Sequence, residues 1–384
     1  MDFELTEAQR SIREKAKRFA DEEIAPFAKD NDERGAFPWE ILKRLGEAGL
    51  MGGTVPKEYG GTGLDHISEA MIFEEIGRAC SSVRTITSVQ VSLVEQSIYR
   101  WGTEGQKRDY LPPLCRAEIL GSFALTEPLS GSDAASIATR ADKLGDGWVL
   151  NGSKTWISTG GVADVGIVFA RTDPSAGTKG ITAFIVEKGS PGFTTKEIKG
   201  KLGLRSANTA ELFFEECFVP SKNVLGAPGE GLKIALSALD DGRYGVAAGC
   251  VGIIQACVDE CVKYSKGRVQ FGKAIASFQL IQEMIARMKV DLDAARLLVY
   301  RAGALKDAGV RNTLETSIAK YFASEAAVRA ATDAIQIHGA YGYSNEHPVE
   351  RYLRDAKVAT IYEGTSQIQK LIIGEHLLGV KAFV

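Results

Sequence analysis

The chain has 384 residues, 45% apolar and 25% charged, with a formal net charge of −3. That length supports a sizeable core in roughly two or three domains. The near-even charge balance offers no footing for a polyanion, so nucleic acid is not an expected partner.

The first third reads as helices. "EAQRSIREKAKRFADEEIAPF" is amphipathic and is expected to close near Pro26. "SEAMIFEEIGRAC" and "SSVRTITSVQVSLVEQSIYRWG" follow, the second with Ser81 or Ser82 as its cap and Gly102 as its stop. From about residue 119 the pattern turns to strands. "GWVLNGSKTWIS", "VGIVFAR", "GITAFIVEKG" and "TAELFFEECFVP" are β-rich runs bounded by Gly, Asp, Asn and Pro. From about residue 229 helices return. Ile281, Ile285, Met288, Leu292, Ala295 and Val299 form one apolar stripe, and "SIAKYFASEAAVRAATDAIQIHG" ends at Gly339. Long stripes with short links predict a bundle. The expected fold class is α+β: helices over residues 1–118, a β domain over 119–228 and a helical bundle over 229–384. No apolar run reaches the ~18 residues of a membrane span. The N-terminus resembles neither a secretory signal nor a basic transit peptide. A cytoplasmic location is therefore expected, or a mitochondrial matrix one after removal of a transit peptide.

Several chemistries lack their motifs. The six cysteines form no C-x-x-C, and Cys250, Cys257 and Cys261 lie at helical spacing in an apolar stretch, so they read as core. His66, His338, His347 and His376 show no metal-ligand spacing, and no metal is expected. Neither a P-loop, nor a dinucleotide-binding glycine motif, nor a G-x-S-x-G elbow is present.

Two stretches remain. "FALTEPLSGSD" is a polar, glycine-bearing loop whose N–H groups and hydroxyls suit a heterocycle edge or a phosphate, although a plain connection fits too. Trp156 in "GSKTWIS" reads, taken alone, as core. "ATIYEGTSQIQKLII" places Glu363 before a helix with an apparent Ser366/Gln369 capping box. Alone, Glu363 reads as a solvated acid favoured by that helix end.

Together with "ALTEPLSGSDAAS", "LNGSKTWIS", "RVQFGKAIASFQLIQ" and "QIHGAYGYSNEHPVERYLRDAK", the "IYEGTSQIQ" stretch resembles the acyl-CoA dehydrogenase family along the whole chain and in order. The resemblance implies a helical N-terminal domain, a central β-barrel or sandwich and a C-terminal four-helix bundle. It also implies FAD as cofactor, an acyl-CoA substrate, electron-transferring flavoprotein as acceptor and a homotetramer. Glu363 matches the base that takes the Cα proton, and Gly364 lets the acyl chain approach. Burial beside Ile361 and Tyr362 should lift its pKa into the working range. The alternative base position of some relatives is Gly242 here, which cannot act. Phe123, Ala124, Leu125, Thr126 and Ser132 match the flavin-edge loop, Ser132 also meeting CoA. Trp156, Ile157 and Ser158 match the segment along the flavin. Arg268 and Gln279, and the loop Gln336, Ile337, His338, Gly339 and Ala340, match contacts supplied by a neighbouring subunit. Many relatives have a doubled glycine where this chain has Gly339-Ala340. Thr365, Ser366 and Gln367 match the cap that receives the FAD phosphate end, as helix N-termini do for anions.

Asp240, Asp241 and Arg243 match substrate or CoA contacts; by themselves they read as helix-start acids with a charge partner. Arg84, in "SSVRTITSVQ", matches the Arg that holds the distal carboxylate in glutaryl-CoA dehydrogenases. An Arg fork is the natural receptor for such a group. The expected substrate is thus a dicarboxylic acyl-CoA, glutaryl-CoA or a substituted succinyl-CoA. A butyryl-like substrate is the alternative, and a non-catalytic acyl-CoA- or flavin-binding protein is the reading from another class. Gly77 stands where decarboxylating relatives carry a Glu, which points away from decarboxylation.

Overall fold

A computed structural model describes residues 4–382. The N-terminal helices are α1 (Glu7–Phe19), α2 (Ala25–Arg34), α3 (Trp39–Glu47), α4 (His66–Ala79), α5 (Ser81–Ser88), α6 (Gln96–Trp101) and α7 (Glu104–Cys115). Thr6 and Gln9 form a capping box that starts α1. The helix does not close at Pro26. A π-helical turn, Ala20–Ile24, carries it into α2, with Pro26 in the first turn after the π segment. Neither Ser81 nor Ser82 caps α5. Cys80 is the N-cap, without a side-chain bond, and both serines are helical. A second π segment, Val89–Glu95, joins α5 to α6, and Gly102 ends the run as expected.

The middle of the chain holds β1 (Gly121–Ala124), β2 (Arg140–Leu144), β3 (Gly147–Ser158), β4 (Val165–Arg171), β5 (Ile181–Glu187), β6 (Phe193–Glu197), β7 (Thr209–Pro220) and β8 (Val224–Leu225). The order is β6-β7-β3-β2-β4-β5-β8, with β1 parallel to β4. Only the pair Arg140–Arg171 joins β2 to β4, so two half-sheets fold over each other there. Their facing sides bury Leu150, Ile157, Val168, Phe184, Leu212 and Phe214. The outer side of β4 and β5 packs Ile167, Phe169 and Ile185 against Leu93, Val94, Ile98 and Ile234 of the helical parts. The β unit is therefore clamped by helices from both ends of the sequence.

The C-terminal part comprises α8 (Gly231–Gly267), a small hairpin of β9 (Val269–Gln270) and β10 (Lys273–Ala274), α9 (Gln279–Asp307), α10 (Thr313–His338), α11 (Val349–Ala359) and α12 (Ser366–Leu378). The predicted stripe on α9 is apolar core: Met288, Leu292, Ala295 and Val299 are buried, with Ile281 and Ile285 packed against them. Contrary to the sequence reading, α8 is by length and composition long and apolar enough to cross a membrane. Its most apolar stretch is 72% buried inside the protein, which makes α8 the central helix of the bundle. All six cysteines are free and buried.

Candidate active site

Three groups of side chains assemble, each on different elements. The first lies at the β unit. Strand β3 pairs with β7 through two register shifts, one between Leu150 and Gly152 and a second between Lys154 and Ile157. Within the second bulge Trp156 has φ 59°, and its side chain turns outward, 61% exposed. It is not core. A bulge re-aims a side chain in this way, and bulges gather at functional sites. The N–H of Thr155 donates to the Thr126 carbonyl at 3.0 Å, so the loop after β1 lies alongside. Thr126, Ser130, Gly131, Thr155, Trp156 and Glu211 line a cleft of about 690 Å³. Phe123, Ala124, Leu125 and Ile157 are buried beneath it and Ser132 is exposed at the rim.

A buried ion pair, missed in the sequence, holds this loop. Lys154 Nζ lies 2.6 Å from Glu127 Oε1, and both are buried. Glu127 also accepts from the N–H groups of Ala138 (2.6 Å) and Thr139 (3.0 Å). Burial brings Lys154 down to about 8 despite Glu127. Glu127 stays below the usual carboxylate range: burial opposes this, but Lys154 and the donated N–H groups prevail.

The second group surrounds Glu363. This residue has φ 53° and precedes Gly364 at φ 89°. A left-handed non-glycine residue is uncommon and costs energy that its surroundings must supply. They do so through its carbonyls. Arg243 Nε (3.2 Å) and Gln369 Nε2 (3.3 Å) donate to the Glu363 carbonyl. Lys320 Nζ (2.7 Å) and Gln369 Nε2 (3.0 Å) donate to that of Gly364. Gln369 is therefore a brace for this turn, not the second half of a capping box. Thr365 is the N-cap of α12, accepting from Ile368 N at 3.2 Å. Ser366 is one residue inside, its hydroxyl donating to Glu325 at 2.6 Å, and Gln367 is exposed.

Glu363 Oε2 is buried and has no hydrogen-bond partner. Burial lifts the carboxyl to about 7, against the pull of Arg84, Lys320 and Arg243. A Cβ at Gly242 would overlap this carboxylate, so the missing side chain there gives Glu363 its place. Burial also lowers Lys320 to about 8.

Further along the same face of α8, a Cβ at Gly245 would meet Ser88 Oγ at 2.6 Å, and one at Gly249 would meet Arg84 Nε at 2.5 Å. Arg84, Ser88 and Ser92 recur every four residues on the opposing helix. Arg84 is 2% exposed and donates to the Tyr362 hydroxyl. Among the described residues no carboxylate pairs with it. Arg84 Nε, Ser88 Oγ and Ser92 Oγ all lack hydrogen-bond partners. Gly242 and Gly249 are seven residues apart, about 10 Å along α8. The unpaired carboxyl and the unpaired guanidinium thus face one track at that separation.

Asp240 pairs with Arg243 at 2.7 Å, whereas Asp241 is held by Lys306 (2.7 Å) and Arg100 (2.8 Å). Neither is a helix-start acid, because α8 begins at Gly231. The third group is remote. Arg268 lies over the Tyr341 ring at 5.6 Å, near Tyr264, whose hydroxyl donates to the His338 carbonyl at 3.2 Å. Arg268 is 26 residues beyond Gly242, about 39 Å along α8.

Models of the acyl-CoA dehydrogenase N-terminal, middle and C-terminal domains match residues 6–118, 122–217 and 229–378. An acyl-CoA dehydrogenase of Bacillus subtilis is 48% identical over 98% of this chain and 99% of its own length. A glutaryl-CoA dehydrogenase of Desulfococcus multivorans is 43% identical over 99% of each. A butyryl-CoA dehydrogenase structure from Megasphaera elsdenii has a TM-score of 0.96 at 44% identity, covering 98% of this chain and all of that one. A glutaryl-CoA dehydrogenase in complex with glutaryl-CoA also has a TM-score of 0.96, at 42% identity over 99% and 98% of the two chains. A chain from a study of the electron-transferring flavoprotein of Acidaminococcus fermentans reaches 0.97 at 45% identity over 98% and 100%. Fold and site define an oxidoreductase of acyl thioesters. The chain belongs to the acyl-CoA dehydrogenase family, whose members depend on FAD.

Proposed function

We propose that this chain is an FAD-dependent dehydrogenase of a dicarboxylic acyl-CoA, glutaryl-CoA first and a substituted succinyl-CoA second. The observation that carries the reading is Arg84, buried without a carboxylate partner and facing the same track as Glu363. A buried guanidinium is costly unless paired. A five-carbon diacid fits the gap of about 10 Å: its Cα meets Glu363, and its far carboxylate meets Arg84 at charge-assisted hydrogen-bond distance.

The exposed Trp156, the cleft beside it and the free edge of the Thr126–Ser132 loop fit a flavin ring. FAD bound there supplies the acceptor for the hydride leaving Cβ. Glu363 takes the Cα proton, and the two losses leave a Cα–Cβ double bond. The Glu363 N–H has no acceptor among the described residues, so it is free to donate to the thioester carbonyl as negative charge develops there. Arg243, Lys320 and Gln369 hold that turn in register. Electron-transferring flavoprotein as acceptor is supported by the likeness to the Acidaminococcus fermentans structure. Non-decarboxylating turnover is supported by Gly77, where a Cβ would come within 2.7 Å of the Gly249 carbonyl, leaving no room for a longer side chain.

The test compares kcat/KM for glutaryl-CoA and butyryl-CoA in wild type and Arg84→Met. Wild type should prefer the dicarboxylate, and the variant should lose about 30-fold or more on it, the ~2–5 kcal/mol of an orphaned buried charge. The free product should be glutaconyl-CoA without CO₂. The likeness to the butyryl-CoA enzyme supports a second reading, a short-chain monocarboxylic substrate. Wild-type preference for butyryl-CoA, with both substrates equally affected by Arg84→Met, would establish that reading instead.

A further inference from the structure

His338 and His347 are nine residues apart in sequence, with no ligand pattern between them, yet the fold brings them together. His338 ends α10, and His347 lies just before α11. Their rings are 5.0 Å apart, and Glu260 of α8 completes a triangle. One donor atom from each of the three lies within 4.8 Å of the others.

The His338 ring is fixed. It is 2% exposed, stacks on Tyr264 at 4.1 Å, and its Nδ1 lies 2.8 Å from the Ala334 carbonyl. A carbonyl only accepts, so in the neutral ring Nδ1 carries the hydrogen. Nε2 therefore presents a lone pair. It is buried and has no partner. An imidazole oriented by a backbone carbonyl, with its other nitrogen free, is the usual form of a metal-ligating histidine. His347 Nδ1 is 3.6 Å from Glu260 Oε1, the one ion pair of that carboxylate among the described residues. Ligands of a tetrahedral zinc ion stand about 3.3 Å apart at bond lengths near 2.0–2.1 Å. From separations within 4.8 Å, the half-buried His347 and Glu260 need close a gap of at most about 1.5 Å to meet that geometry. They also line a cavity of about 390 Å³ in which carboxylates, Asp259 and Glu346 among them, outnumber the cations Lys29, Arg78 and Arg351, a balance that favours a cation.

We propose that His338, His347 and Glu260 bind one divalent transition-metal ion of the zinc class, with water as the fourth ligand. The ion fastens the Gly339–Tyr343 turn and the start of α11 to α8. Two imidazoles and one carboxylate select zinc over magnesium, which prefers an all-oxygen shell.

The experiment uses untagged holoenzyme dialysed against a chelator, then titrated calorimetrically with Zn²⁺ and separately with Mg²⁺. One Zn²⁺ per subunit is expected, with no comparable Mg²⁺ binding and a rise of several degrees in Tm. His347→Asn and Glu260→Gln should each weaken Zn²⁺ at least tenfold and abolish the rise. Both variants should keep the FAD content and metal-free Tm of the wild type, which shows that they fold. Zn²⁺ affinity unchanged in both, equal binding of Mg²⁺, or no binding below millimolar Zn²⁺ would overturn the site.

Discussion

A carboxyl serves as a base near neutral pH only when its surroundings lift it from the ordinary ~4.3 of a free glutamate. At Glu363 the lift comes from burial, and three cations, Arg84, Lys320 and Arg243, limit it to about 7. Below that value the residue is protonated and cannot accept the Cα proton. The rate of anaerobic flavin bleaching by acyl-CoA should therefore fall about tenfold per pH unit below about 7. Glu363→Gln should keep FAD and bind acyl-CoA yet lose at least about 10²–10⁴-fold in bleaching. Stability carries the opposite sign. Because folding raises this pKa, its contribution is fully present below the unfolded value of about 4.5 and is lost as pH rises through about 7. Glu363→Gln should thus melt higher than wild type at pH 8.5 and level with it near pH 4.5. Near-normal bleaching in the variant would remove Glu363 from the mechanism. Glu363 and Arg84 were legible because each sits in a local motif. Lys320 was not: it lies 44 residues before Gly364, and only the fold brings it to that carbonyl. Tyr362 looked like apolar cover for Glu363, but its hydroxyl accepts from Arg84 and so links acyl-binding and base residues.

At the level of elements, what the sequence made plain was periodic, and what it concealed was irregular. The stripes of α9 and α10 and the continuous apolar runs of β4 and β5 follow from burial of one face or both. The π segments do not show in such a pattern, because an extra residue per turn leaves composition unchanged. Val89–Glu95 carries Ser92 and Leu93 toward Gly245 and Gly242, so one of these irregularities lies at the site itself. The α12 cap was misread by one residue because Thr365 and Ser366 are both competent caps, and only geometry separates them. Likewise the bulge that turns Trp156 outward depends on the mismatch of β3 with β7, not on β3 alone. This bulge and the Glu127 loop share the Lys154–Glu127 pair, so they should fail together. Lys154→Met leaves Glu127 buried beside two N–H donors but without its cation. Losing one partner of a buried pair costs ~3–5 kcal/mol. The variant should purify with little flavin and unfold at lower urea, with an unchanged slope. Wild-type flavin absorbance and an unshifted urea midpoint would show that the pair is dispensable.

At the scale of the whole molecule, one chain does not gather every residue that the family pattern assigns to FAD. Glu363 is set against Gly242 near the N-terminal third of α8, and Arg268 caps its far end about 39 Å away. His338 is 18 residues, about 27 Å along α10, beyond Lys320, which holds the Gly364 carbonyl. A second copy packed in the opposite sense would bring its Arg268 end to the first copy's Glu363 end, and a twofold axis would complete both sites. Exposed apolar side chains at Leu280, Val290 and Leu297 of α9, and at Leu377 and Leu378 of α12, supply a surface for such packing. The arrangement is tested by complementation between two inactive chains. Glu363→Gln lacks the base but keeps Arg268; Arg268→Ala keeps the base but lacks the guanidinium. Each homo-oligomer should be inactive or flavin-poor. Refolded or co-expressed together, they should form mixed assemblies in which one site of each mixed pair has both residues intact. Random pairing then returns about a quarter of wild-type sites over the unfractionated mixture, and about half in mixed pairs isolated by tandem-tag purification, measured as activity per chain. Activity no greater than the sum of the two homo-oligomers, in assemblies shown to be mixed, would mean that Arg268 serves its own chain and that each FAD site is built from one copy.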